Sequence, residues 1–292
     1  MRIFLAVDGT NSSDVVIQEA ARRCWPAGSQ FAIVQAVDPY FFTNAPTPME
    51  EAKEAATKAL EQFAQPLVEA GWPVESQVIL ANPRHGLTQS AKEWRADLLM
   101  IGSHGRGTVS RLLLGSTAQT VLRHAECSVE IVRRREAGGE EGMRVLVATD
   151  GSQYGEAAVR AVATRPWAKG STFKVLSSPE YPVLVGEYPY YAPEQVAELS
   201  KQSVENAKKA VHTGTESLKQ AGLTVSGEVI EPLDTPAHSI LAAAEDSKTD
   251  LIVMGSHGRR GFDRLILGSV SESVALHATC SVELVRIAMV SS

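Results

Sequence analysis

The chain has 292 residues, a hydrophobic content of 44% and a formal net charge of −6. That length suits about two domains, and no apolar run approaches the ~20 residues that span a bilayer. Residues 1–141 and the remainder each carry 14 basic and 17 acidic side chains, so neither half offers the basic surface that nucleic acid requires.

Three cysteines make no disulfide framework, and a reducing cytoplasm is the expected location. The start, Met1-Arg-Ile-Phe-Leu-Ala-Val-Asp8, is ended too early by its aspartate to be a signal peptide. It reads as a buried strand over about 2–8. A helix is expected over 12–23, with Asn11-Ser12-Ser13 supplying N-cap oxygens. Strands follow at about 30–37, 74–80, 97–102 and 127–132, and helices at 48–70, 84–95 and 112–124. Alanines with Leu60, Phe63 and Leu67 at helical spacing mark the long helix, and Pro66 is expected to kink it. Arg133-Arg134-Arg135 reads as a solvated strand end. Cys127 and Cys280 read as small buried residues, not nucleophiles.

The chain then repeats itself. Glu136-Ala-Gly-Gly-Glu-Glu-Gly142 has the composition of a linker. Beyond it, Asp150-Gly-Ser152 answers Asp8-Gly-Thr10. Asp250-Leu-Ile-Val-Met-Gly-Ser-His-Gly-Arg259 answers Asp97-Leu-Leu-Met-Ile-Gly-Ser-His-Gly-Arg106. Cys280-Ser-Val-Glu-Leu-Val285 answers Cys127-Ser-Val-Glu-Ile-Val132. The offset grows from 142 to 153, so the second copy carries an insertion. A period this long means a duplicated domain, with boundaries expected at 1–135, 136–142 and 143–292. Strand and helix alternate in each copy and the strands are nearly all apolar. The fold class is therefore α/β: two tandem Rossmann-like or flavodoxin-like domains, each an open parallel sheet with helices on both faces.

The most specific signal is Gly-x2-Gly-x9-Gly-Ser, present twice: Gly102, Gly105, Gly115 and Ser116, then Gly255, Gly258, Gly268 and Ser269. Glycines let a backbone approach a phosphate, and a helix start offers free N–H groups and a positive dipole end. Open parallel sheets bind ligands at strand ends where strand order reverses. If the first and fourth strands are neighbours there, Asp8 or Asp150 faces the glycine loop across one nucleotide-sized crevice. Loop N–H groups, with Thr117 or Val270, would donate to phosphate. His104 and His257 stand as phosphate contacts, as groups for proton transfer or as solvent-facing loop residues, and Arg106 and Arg259 as phosphate contacts or ordinary surface residues. Asp8 and Asp150 stand as ribose or base contacts, as helpers in holding magnesium, or as caps of their own turns. Neither a catalytic constellation nor a metal-ligand cluster is evident.

On these motifs the chain resembles the universal stress protein family over nearly its whole length, as a tandem member. The resemblance implies five strands per sheet and a last strand used for pairing. Segments 127–132 and 280–286 would then pair the two domains internally, while a homodimer of whole chains is a separate expectation. It also implies ATP or another adenine nucleotide as ligand, with Mg2+ held mainly by the phosphates. The residues that match the family's nucleotide contacts are Asp8, Val37, Ile101, Gly102, His104, Gly105, Gly115, Ser116 and Thr117, then Asp150, Met254, Gly255, His257, Gly258, Gly268, Ser269 and Val270. A departure lies at Pro179, which stands where the first copy has Val37. The aromatic stretch that follows, within 179–193, reads equally as a lid, a docking surface or packing on its own domain. The competing functions are a stress-signalling nucleotide binder, a slow ATPase or phosphotransferase, and an interaction scaffold. A flavoprotein is a weaker alternative at the level of fold.

Overall fold

The computed structural model describes residues 1–42, 46–104, 114–135, 142–180, 193–231, 234–258 and 267–287. The first repeat runs β1 (Arg2–Val7), α1 (Asn11–Arg22), β2 (Gln30–Val37), a 3-10 turn (Pro39–Phe42), α2 (Pro46–Glu69), β3 (Val74–Leu80), α3 (Pro83–Glu93), β4 (Leu98–Gly102), α4 (Ser116–His124) and β5 (Ser128–Val132). The second runs β6 (Arg144–Ala148), α5 (Gln153–Thr164), β7 (Thr172–Ser177), α6 (Pro193–Gln220), β8 (Val225–Val229), α7 (Pro236–Asp246), β9 (Leu251–Gly255), α8 (Ser269–His277) and β10 (Ser281–Val285).

Two compact units form. One holds Met1–Gly139 with Arg165–Ala168 and Ala275–Ser292; the other holds Glu140–Thr164 and Lys169–Val274. In the first unit five parallel strands lie in the order β3-β2-β1-β4-β5. In the second, four parallel strands lie in the order β9-β6-β7-β8. Strand order reverses beside β1 and beside β6, so each Asp-Gly strand has the glycine-motif strand as neighbour: Ala6 faces Ile101, and Ala148 faces Met254.

The near-continuous apolar strands are buried because helices cover both faces. One face of the first sheet packs Ile3, Leu5, Phe31, Ile33 and Met100 against Val16, Ile17 and Ala20 of α1 and Leu60 and Leu67 of α2. The Trp25 indole N–H, buried with them, donates to the Ala20 carbonyl at 2.7 Å. At the sheet edge β3 exposes Glu75, Ser76 and Gln77, polar residues that blunt an open edge.

The first unit also contains β10, paired antiparallel with β5 so that Val282 faces Ile131 and Glu283 faces Glu130. The expected pairing of the two terminal strands is therefore present. Glu130 and Glu283 have no solvent exposure. Each is clamped by two 2.6 Å hydrogen bonds, from Arg23 and Arg165 respectively. Burial raises the Glu130 carboxyl above the usual carboxylate range against the pull of Arg23.

Three local expectations are corrected, at the starts of α1 and α4 and at Arg133. Thr10, not the Asn11–Ser13 group, is the N-cap of α1, and it caps without a side-chain bond; the Ser13 hydroxyl instead ties down the Asp8-Gly9 turn. Helix α4 begins at Ser116 with Gly115 as N-cap, not at 112. Helix α2 runs on to Glu69 past Pro66, whose missing N–H costs one bond close to the helix end. Arg133 is not a solvated strand end: it donates to the carbonyls of Ala275 (2.7 Å) and Cys280 (3.1 Å). Burial pushes its guanidinium down to about 10. Arg286, its counterpart, donates to Leu122 O at 2.7 Å and Arg123 O at 3.2 Å. Each arginine thus reaches last-turn helix carbonyls, Ala275 of α8 and Leu122 and Arg123 of α4, the groups a helix end leaves without an intrahelical donor.

Candidate functional site

Each site grows from a turn that the sequence builds with one carboxylate. Asp8 Oδ1 accepts from the Thr10 backbone N–H (3.0 Å), the Thr10 hydroxyl (2.6 Å) and the Ser13 hydroxyl (3.0 Å). Asp150 Oδ1 accepts from the Ser152 N–H at 3.0 Å. The following residues, Gly9 and Gly151, have φ of 77° and 74°, a conformation that glycine adopts without a Cβ penalty. Both aspartates are half-buried at a strand end. The cap reading of these aspartates is therefore correct for Oδ1. Oδ2 of Asp150 points elsewhere: a Cβ built on Gly258 would lie 3.0 Å from it.

The glycines of the repeated motif have separable physical reasons. A Cβ on Gly102 would sit 2.7 Å from Ser12 Cβ, and one on Gly255 would sit 2.7 Å from the Tyr154 backbone. These two glycines let α1 and α5 start directly against the ends of β4 and β9, a packing demand the sequence did not reveal. Gly258 keeps the space beside Asp150 clear. Gly268 closes the loop: its N–H donates to Ser256 O at 3.0 Å, and a Cβ there would lie 3.3 Å from His257 Cα. Gly115 does the same in the first repeat, donating to Ser103 O at 2.9 Å.

In the second repeat a cleft of about 500 Å³ opens over the ends of β6, β7 and β9. Asp150, Met254, Gly255, His257 and Gly258 line it from one side, and Gly268, Ser269 and Val270 line it from the start of α8. All eight sequence-predicted residues of this repeat that the structure describes are brought together there. Arg259 lies outside the described residues. Pro179 also lines the cleft; most of the aromatic stretch after it, residues 181–192, is outside the described residues.

Several lining residues carried no sequence signal. Ser177 ends β7 and Ser178 follows it, Ser203 and Ala207 come from α6, and Ile240 comes from α7. The His257 ring is buried, lies 4.9 Å from the Tyr154 ring, and shares a 3.0 Å hydrogen bond between Nδ1 and the Ser256 hydroxyl. His257 Nε2 and Ser178 Oγ are buried without a hydrogen-bond partner. Buried polar atoms of this kind are costly unless something satisfies them.

In the first repeat Asp8 follows β1, Val37 ends β2, Ile101 and Gly102 end β4, and Ser116 and Thr117 open α4 behind Gly115. His104 is half-buried with Nδ1 2.8 Å from the Ser103 hydroxyl. Gly105 and Arg106 lie outside the described residues. The Val37 carbonyl is occupied by the Ala81 N–H at 3.1 Å. Among the described residues no group of three His, Cys, Asp or Glu side chains is placed to hold a metal ion, and no helix is long and apolar enough to cross a membrane.

Comparison with known proteins gives a consistent family. The sequence model of the Universal stress protein family matches residues 1–133 and again 143–286. A universal stress protein of Mycolicibacterium smegmatis is 28% identical, over 97% of this chain and 96% of its own. One from Mycobacterium tuberculosis is 27% identical, over 94% and 93%. Among solved structures, a universal stress protein from Archaeoglobus fulgidus superposes with a TM-score of 0.68 at 20% identity, covering 98% of this chain and 96% of that one.

Proposed function

This chain belongs to the universal stress protein family, and we propose that each of its repeats is a binding module for an adenine nucleotide, ATP foremost. The observation that carries this reading is the cleft of the second repeat. Its volume of about 500 Å³ lies within the range of small-molecule sites. One wall is an anion-binding helix start, Ser269 and Val270, whose free N–H groups favour phosphate. The other wall holds the Asp150 carboxylate, suited to ribose or base hydroxyl and amino groups. His257 Nε2 and Ser178 Oγ, both without a partner, are two polar atoms that a bound ligand, or water held with it, would satisfy.

In this reading the chain orients the nucleotide and does not transform it rapidly. Gly258 leaves clearance beside Asp150, and the loop N–H groups take the phosphates. Mg2+ would be held mainly by the phosphate oxygens. The biological role is that of a nucleotide-dependent stress or signalling component of the cytoplasm. A second reading, slow ATP hydrolysis, rests on His257 Nε2 alone; turnover that His257→Ala abolishes while ATP still binds would support it.

Denaturing the purified protein and chromatographing the supernatant, alongside thermal-shift assays with ATP and Mg2+, tests the binding reading. Retained adenine nucleotide, or a rise in Tm on adding ATP, is expected. The absence of retained nucleotide together with no shift at millimolar ATP would overturn it.

A further inference from the structure

The two repeats differ at a charged position beside the helix that opens with the motif serine. Asn82-Pro83-Arg84 opens α3 and Thr235-Pro236-Ala237 opens α7, at the same offset that relates the two glycine motifs. In the first repeat Arg84 Nη2 donates to the Ser116 hydroxyl at 3.1 Å, across 32 residues of sequence. Ser116 is the first residue of α4. The base of the arginine is fixed: Asn82 Oδ1 accepts from the Arg84 N–H at 3.1 Å, and Asn82 Nδ2 donates to Asp38 at 2.7 Å. Among the described residues no carboxylate pairs with the Arg84 guanidinium. A cation held on a helix-opening serine and left without a counter-charge is built to meet an anion. In the second repeat Ala237 is buried and apolar, and among the described residues no cation is bonded to Ser269, which opens α8.

We propose that Arg84 makes the first site a reader of phosphate number: it favours a nucleoside triphosphate over a monophosphate, and the second site, with Ala237, discriminates between them less. This rests on the nucleotide-binding reading above. The physical reason is charge. A guanidinium presents a fork of donors that phosphate oxygens accept, and its attraction grows with the negative charge of the ligand. Because Arg84 is exposed, the effect weakens with salt.

The test is calorimetric titration of the full chain with ATP and with AMP, at constant Mg2+ and low salt, for wild type, Arg84→Gln and Arg84→Lys. Arg84→Gln should weaken ATP at one of two sites by about tenfold, the size of one charged hydrogen bond. AMP affinity should fall several-fold less than that of ATP, Tm should stay unchanged, and Arg84→Lys should recover part of the loss. Raising salt should shrink the wild-type advantage for ATP. If Arg84→Gln leaves ATP affinity unchanged at both sites, or weakens ATP and AMP alike, the phosphate-number inference is wrong while the nucleotide reading stands. If wild type binds neither ligand, both fall together.

Discussion

At Asp150 one side chain serves two ends: Oδ1 holds the turn after β6, while Oδ2 lies beside Gly258. Gly255 and Gly258, three residues apart, therefore differ in what substitution does. In Gly255→Ala the new Cβ meets Tyr154 backbone atoms at 2.7 to 2.8 Å, and backbone cannot step aside cheaply. We expect a loss of about 1–3 kcal/mol in urea unfolding, as overpacking typically costs. In Gly258→Ala the new Cβ meets, among the described residues, only the end of a carboxylate at 3.0 Å, which has to give by a few tenths of an ångström. Stability should stay within about 0.5 kcal/mol of wild type, while titration shows weaker ATP binding. Equal loss of stability in both variants would contradict this division of roles. The cysteines separate in the same way. Cys24 is exposed, whereas burial pushes the Cys127 thiol up to about 11. Since the thiolate is the reactive form, iodoacetamide at pH 7.5 should label Cys24 well before Cys127, as read by peptide mass spectrometry. Asp8 and Asp150 were legible because Asp-Gly follows an apolar strand in both copies. Arg84 was not, because its partner Ser116 is 32 residues away and nothing local joins them.

Among the elements, the β5–β10 pair buries two carboxylates side by side. Glu130 and Glu283 face each other in register, an arrangement that like charges make unfavourable. Arg23 and Arg165 reverse the balance, each bidentate on its own glutamate. Removing one partner of a buried pair leaves the other charge uncompensated, at a typical cost of 3–5 kcal/mol. Glu283→Ala is therefore expected to destabilise by about 3 kcal/mol or more in urea unfolding. Arg165→Met added to it should restore part of that loss; if the double variant is no more stable than the single, the loss belongs to packing and not to the stranded arginine. Glu19 adds a pH dependence. Burial opposes its ionisation, but Arg23 and Arg22 outweigh burial and hold it below the usual carboxylate range. Its folded-state pKa lies below its unfolded one, so its contribution is present above about pH 4.3. It is lost as pH falls through the depressed value. Glu19→Gln should flatten the acid limb of the stability curve and leave its alkaline side unchanged. The strand positions could be read from apolar runs that repeat, and the pairing of the last strands from the family resemblance. The ends of α1 and α4 could not, because Thr10, Ser13 and Gly115 settle them through contacts with their own turns. Arg133 was misread for the same reason: its acceptors, Ala275 and Cys280, lie more than 140 residues away.

For the whole molecule, duplication sets the expectation of two ligand sites whose phosphate ends agree and whose remaining walls differ. The sequence showed the agreement through two glycine motifs in register. It showed part of the difference at Pro179 and none of it at Arg84 and Ala237, because no motif marks the residue that follows Asn82-Pro83 or Thr235-Pro236. Ligand that binds only the folded chain stabilises it by mass action, about 2.7 kcal/mol at a hundredfold excess over Kd. Tm should therefore climb with ATP concentration and keep climbing past the first site's saturation. The most direct measurement is equilibrium dialysis of the purified chain against labelled ATP with Mg2+, carried to saturation. Two nucleotides bound per chain is the predicted result. No saturable binding at millimolar ATP would contradict the central claim.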